Sequence, residues 1–178
     1  MNAYGKGALS AEMATDVLTN TVRLGKLSSE ELAQAIGQVI PIASNLGVEF
    51  HEVGATLAAM SRTGTNAATA SMQLKNILMS ILKPSKEGAD QLKELGLSSQ
   101  MLREQIKDKG LLDVLTTLKE KFGENDDAQA KVFGGARALM GVMDLLGKGF
   151  EDTTVIFDGM SKSANITSDA YKELGKSA

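Results

Sequence analysis

The residues best placed to do chemistry are three adjacent carboxylate pairs, one histidine and a glycine doublet. The pairs are Glu30-Glu31, Asp126-Asp127 and Glu151-Asp152. Carboxylates serve general acid–base catalysis when they converge in a pocket. Sequence neighbours on a helix point about 100° apart instead. These pairs therefore suit helix N-termini, where negative charge meets the positive end of the helix dipole. His51 is the sole imidazole, and one imidazole holds a metal only with borrowed ligands. It reads as a capping or surface residue. Gly134-Gly135-Ala136-Arg137 could turn backbone N–H groups toward a phosphate. It lacks the Lys-Ser or Lys-Thr and the preceding strand of a nucleotide loop, so a tight corner between two helices is expected. With no Cys, disulfides, thiol nucleophiles and Cys-based metal sites are excluded. No catalytic residue, cofactor or metal is expected, and the chain reads as a non-enzyme.

The elements that would position these groups are helices. Aromatics make up only 4% of 178 residues, Trp is absent and Pro occurs twice, while Gly and Met are frequent. The apolar content lies in Ala, Leu and Met, which favour helix over strand. The expected fold is all-α, a bundle of about eight short to medium helices joined by Gly, Pro and Ser turns. Residues 9–24 form the first, stopped at Gly25. Ser28 and Glu31 have capping-box spacing and open a second helix, which Pro41 should kink or break near residues 37–41. A third covers 49–62 and ends at Gly64. Asn66 caps a fourth, whose Leu74, Ile77, Leu78 and Ile81 make one helical stripe. Shorter helices follow over 85–95, 98–109, 111–122 and 127–133. Residues 136–148 carry an apolar side of Leu139, Val142, Met143 and Leu146. A last helix spans about 150–160, with a separate tail helix or frayed end over 165–174. Thr153 to Phe157 is β-prone by composition but has helical spacing. Leu74, Ile77, Leu78, Phe133 and Leu139 are the expected packing core.

Charge divides the chain. Residues 27–74 contain only Glu30, Glu31, Glu49, Glu52 and Arg62 as charged groups, whereas residues 75–137 hold 11 basic and 10 acidic side chains. The expected organisation is an N-terminal helix (1–26), a weakly charged helical segment (27–83) and a charged bundle (84–178), or one continuous domain over 10–160. Small residues on several faces of the weakly charged segment, Ala58 and Ala59 among them, suit close packing against a second copy or a partner. The alternative is that its Ser, Thr, Asn and Gln residues form an adequate polar face. The methionines offer either an adaptable docking surface or ordinary core filling. Leu27 to Gly37 superficially fits the first helix of a helix-turn-helix, but the run that follows to Arg62 lacks the basic residues a DNA-reading helix needs. The net charge of −3 also argues against a phosphate-neutralising protein. No apolar run approaches the ~18 residues that would cross a bilayer, which disfavours a membrane-perturbing effector.

One ordered set of motifs points further. Ala43-Ser-Asn-Leu-Gly47 is followed by Gly64-Thr-Asn-Ala-Ala-Thr-Ala-Ser-Met-Gln-Leu74, Pro84 and Leu92-Lys-Glu-Leu-Gly-Leu97. Gly110-Leu-Leu-Asp-Val-Leu-Thr-Thr-Leu118 and Val132-Phe133-Gly134-Gly135-Ala136-Arg137-Ala138 come next. This succession, over about residues 10–160, resembles the core region of tape-measure proteins of tailed phages and prophages. The resemblance implies a structural protein of the virion tail, made in the bacterial cytoplasm and taking part in tail assembly, length determination and DNA ejection. It implies partners among tube, tip or baseplate proteins and assembly chaperones, self-association, and DNA nearby without specific recognition. Such proteins are usually far longer, with coiled-coil and apolar membrane-active stretches not found here, so the chain reads as a domain or remnant. Residues 27–82, with Ala58 and Ala59, and the corner at Phe133 and Gly134 are the expected contact regions.

Overall fold

Ser10, Ser28, Asn66, Ser85, Ser98 and Asn125 each accept a hydrogen bond from the backbone N–H three residues on. Each thereby satisfies a donor that the first turn of a helix leaves orphaned. The computed structural model describes Tyr4, residues 10–147 and residues 149–176, with side chains described as far as residue 164. Among these lie eleven α-helices and no strand. They are α1 (Ala11–Leu24), α2 (Ser29–Ala35), α3 (Ile40–Leu46), α4 (Phe50–Arg62), α5 (Ala67–Leu82) and α6 (Lys86–Glu94). The others are α7 (Ser99–Lys109), α8 (Leu111–Phe122), α9 (Asp126–Phe133), α10 (Ala136–Leu146) and α11 (Phe150–Lys176).

The class is all-α, as expected, with more and shorter helices than the eight anticipated. Pro41 accounts for part of the difference. It sits in the first turn of α3, where its missing N–H costs nothing, and a 3-10 turn over Ile36–Gln38 separates α2 from α3. At the other end two expected helices are one. The tail helix expected over 165–174 is not separate, because α11 continues through it, with Ser163 Oγ donating back to Gly159 O. The expected starting residue Leu9 and end residue Lys148 lie outside the described residues.

α4 occupies the centre. α1, α3, α5, α10 and α11 all pack against it, and of its 13 residues only His51 and Arg62 escape burial. This corrects the expectation that the weakly charged segment docks on another molecule through Ala58 and Ala59. Those side chains are 0% and 6% exposed within the chain's own fold. The alternative polar face is present elsewhere in the segment, where Gln34, Gln38, Asn45, Thr63, Asn66 and Thr69 are exposed, while α4 turns its own hydroxyls inward. Thr56 Oγ1 donates to Glu52 O and Ser61 Oγ to Ala58 O, inside the bundle. Hydroxyls that bond their own helix carry no unmet polarity into the core. Close approach is set at Gly54, where a Cβ would collide with Thr21 Oγ1 of α1 and lie 3.0 Å from Val17 Cγ1. Only glycine lets the α1 and α4 backbones come so near.

α5 is the second hub, touching α2, α3, α4, α7, α9 and α10. Its expected stripe of Leu74, Ile77, Leu78 and Ile81 is buried. The charged helices form an outer layer in which α6 packs on α9 and α7 on α8.

Candidate functional site

The carboxylate pairs sit at helix starts, on the first turns of α2, α9 and α11. Asp127 joins Lys131 in an exposed ion pair at 2.7 Å. The Glu31 carboxyl is held below its usual range because Ser28 N–H and Oγ–H both donate to it. Asp126 and Glu31 each line an open pocket, but without their neighbours Asp127 and Glu30. Among the described residues no three of His, Cys, Asp and Glu gather as metal ligands would.

Among the described residues one carboxylate is buried, and the sequence reading gave it no role. Glu52, on the first turn of α4, accepts from Glu49 N at 3.0 Å through Oε2 and from Leu111 N at 2.6 Å through Oε1. A single side chain thus closes the N-termini of α4 and α8, reaching from Glu52 to Leu111 across 59 positions of sequence. Burial pushes its carboxyl up from the usual value, while the backbone donors pull it down. Gly110 makes room: its φ is +91°, and a Cβ there would stand 2.5 Å from Glu52 Oε1. Beside it opens a cavity of ≈ 370 Å³ lined by Glu49, His51, Lys107 and Asp158, among others. Burial lowers the His51 imidazole, partly offset by Glu49. Both Glu52 oxygens already accept helix N–H groups, so the carboxylate is a structural rivet rather than a base.

The Gly134-Gly135 corner is a helix–helix turn. Gly134 is exposed, with φ +36°, and joins α9 to α10. Phe133 beneath it is buried edge-to-face on Phe122, ring centres 6.0 Å apart. The corner borders a groove of ≈ 590 Å³ whose other wall is Asn76, Met79, Ser80 and Lys83 of α5 and the residue after it. Leu74, Ile77 and Leu78 lie in the core away from solvent, and Leu139 is only half-buried. The structure thus sets Phe133 in the wall of a groove, with Gly134 exposed at the corner beside it, far in sequence from Ala58 and Ala59 inside the bundle.

α10 is turned differently from the sequence reading. Its covered side is Ala138, Gly141, Val142, Leu145 and Leu146. Met143, assigned to the apolar side, is 48% exposed, and Met140 is 58% exposed. Ala136, Met140, Met143 and Gly147 form an uncharged outward line at spacings of four, three and four. The line runs from the groove at Phe133 to a second depression bordered by Lys119, Glu124, Asp126, Met143 and Gly147. Taking the exposed positions at that spacing as a second face would have found it.

The helix-turn-helix reading finds no second reading helix. α3 carries no Lys or Arg, and α4 is enclosed. Among the described residues no helix is long and apolar enough to cross a membrane. The described residues thus present grooves and exposed helix faces, with the chemistry of their paired acidic groups spent at helix starts.

Comparison with known proteins agrees with that chemistry. A family model described as "Phage-related minor tail protein" matches residues 1–141. The "Tape measure protein" of Pneumococcus phage Dp-1 is 25% identical over 183 residues, covering 99% of this chain and 15% of that protein. The "Probable tape measure protein" of Clostridium phage phiCD119 is 25% identical over 195 residues, covering 98% of this chain and 19% of that protein. The chain thus spans less than a fifth of either relative's length. No solved structure matches.

Proposed function

We propose a tail-building function on one premise: the chain belongs to the phage-related minor tail protein family. In this reading it is a folded contact segment of a tape-measure protein, carried in the virion tail. It serves assembly by packing against tube, tip or baseplate proteins or their chaperones, with DNA passing nearby but unread. The match over residues 1–141 carries the reading. An all-helical fold whose Glu31 and Glu52 serve as helix caps suits a scaffold.

The segment works as a contact module rather than a ruler. An extended helix gains about 1.5 Å of length per residue, whereas here the chain turns back on itself between eleven helices, so residues add little length. The test is an in-frame deletion of residues 11–164 from the tail protein of a phage that carries this segment, with tails imaged by electron microscopy. Loss of tails, or tails that fail to join at one end, is the expected result. Complete tails shortened in proportion to the residues removed would show that the segment is part of the ruler. Normal infectious tails of unchanged length would overturn the tail role altogether.

A further inference from the structure

We propose that the outward face of α10 pairs with the same face of a second copy of this chain, the two α10 helices running antiparallel about a two-fold axis. The proposal rests on the contact function above and names its surface and its occupant.

Three observations converge. First, the outward line of α10 reads the same in both directions: small, Met, Met, small, at positions 136, 140, 143 and 147. A two-fold axis crossing between residues 141 and 142 sets Met140 on the partner's Met143 and Ala136 on the partner's Gly147. A two-fold contact must be self-complementary in this way. Small ends let the helices approach, while flexible methionines fill the centre. Second, both methionines are about half exposed on a helix whose other side is covered by α4, α5, α8 and α9.

Third, the two ends of the line carry opposite charge. The groove at the start of α10 is lined by Lys83 and Arg137 and by no acidic residue. The depression at its end is lined by Glu124 and Asp126. Among the described residues its one lysine, Lys119, is already engaged, donating to Leu146 O at 2.6 Å and lying over the Phe150 ring. Lys83, Arg137, Glu124 and Asp126 make no ion pair among the described residues. An antiparallel pairing sets each basic end against an acidic end, twice. A parallel pairing would set like against like, and the helix dipoles favour the same choice.

Size fixes the strength. An 11-residue helix is about 16 Å long, so the contact buries less than the ~800 Å² per partner of a stable complex. Association is therefore weak in the isolated chain and must be measured at high concentration.

Sedimentation velocity of the full chain, from micromolar to near-millimolar concentration, supplies the test, with circular dichroism to verify that each variant is folded. A concentration-dependent dimer is expected. Met140→Glu combined with Met143→Glu should weaken it about a hundredfold, the effect of losing two central contacts. The deciding arm reverses charge. Lys83→Glu with Arg137→Glu in one chain, and Glu124→Lys with Asp126→Lys in another, should each abolish the dimer. An equimolar mixture of the two should restore it, because opposite charges then face each other at both ends. Such recovery cannot come from misfolding of either chain. A monomer throughout, a dimer indifferent to these changes, or no recovery on mixing overturns the pairing. A monomeric chain whose deletion still abolishes tails sinks the pairing alone, whereas a dimer that tails can do without sinks the tail function alone.

Discussion

α4 and α10 are short helices poor in charge and rich in small residues, yet they meet opposite fates. α4 is covered on every side by α1, α3, α5, α10 and α11. α10 is covered on one side and turns two methionines outward. The difference teaches that scarcity of charge marks a helix to be covered, without saying by what. In α4 the cover comes from both ends of the same chain. In α10 the described residues leave Met140 and Met143 uncovered.

The largest test of that contrast is Ala58→Glu. It would bury an unpaired carboxylate, with an expected loss of about 4 kcal/mol or more. Urea unfolding should show a chain that is largely unfolded or strongly shifted, not a folded monomer; retained stability would mean that α4 is not enclosed. Leu78→Ala, deep in α5, should cost about 2–5 kcal/mol in the same assay. The half-buried Leu139 should cost about 1 kcal/mol, since less apolar surface is lost from contact. A Leu78 effect under about 0.5 kcal/mol would displace the α5 stripe from the core.

The first turn of α4 gives a pH test with two opposite signs. Burial raises Glu52, so its contribution is complete below the ordinary carboxyl value of 4.5 and is lost as pH rises through the raised value. Relative to Glu52→Gln, the native chain should therefore lose stability as pH climbs from 4.5, by less than about 1.4 kcal/mol per pH unit. His51 is lowered, so its contribution is complete above 6.5 and lost as pH falls through the lowered value. Relative to His51→Gln, the native chain should lose stability on acidification. Thermal unfolding of the three proteins between pH 4 and 8 would reveal the two trends, and parallel slopes would contradict both burials. The smallest effect belongs to α10: Met140→Glu should change stability by under about 0.5 kcal/mol, as surface substitutions do. A larger loss in urea would place Met140 inside the fold.

Much of the fold was legible because its boundaries are local. Ser28, Asn66, Ser85 and Ser98 announce helix starts within three residues of the bond they make. The Pro41 break is equally local. What could not be read is which side of a helix another part of the chain covers. The enclosure of α4 depends in part on α11, which begins at residue 150. The double cap by Glu52 depends on Leu111, and no pattern near either residue announces it. Phe133 was legible from its place before a glycine corner. Met143 was misassigned because four apolar residues on an 11-residue helix fit more than one face.

The enclosure of α4 has a further consequence, for synthesis. Its sequence leaves the ribosome about a hundred residues before α11, and at 5–20 residues per second that is roughly 5–20 s. Throughout that interval a nearly uncharged helix lacks one of its main covering layers and is open to unwanted association. A nascent chain built this way needs its early helices kept from unwanted contacts until the last one arrives. The need would be greatest when many copies are translated side by side.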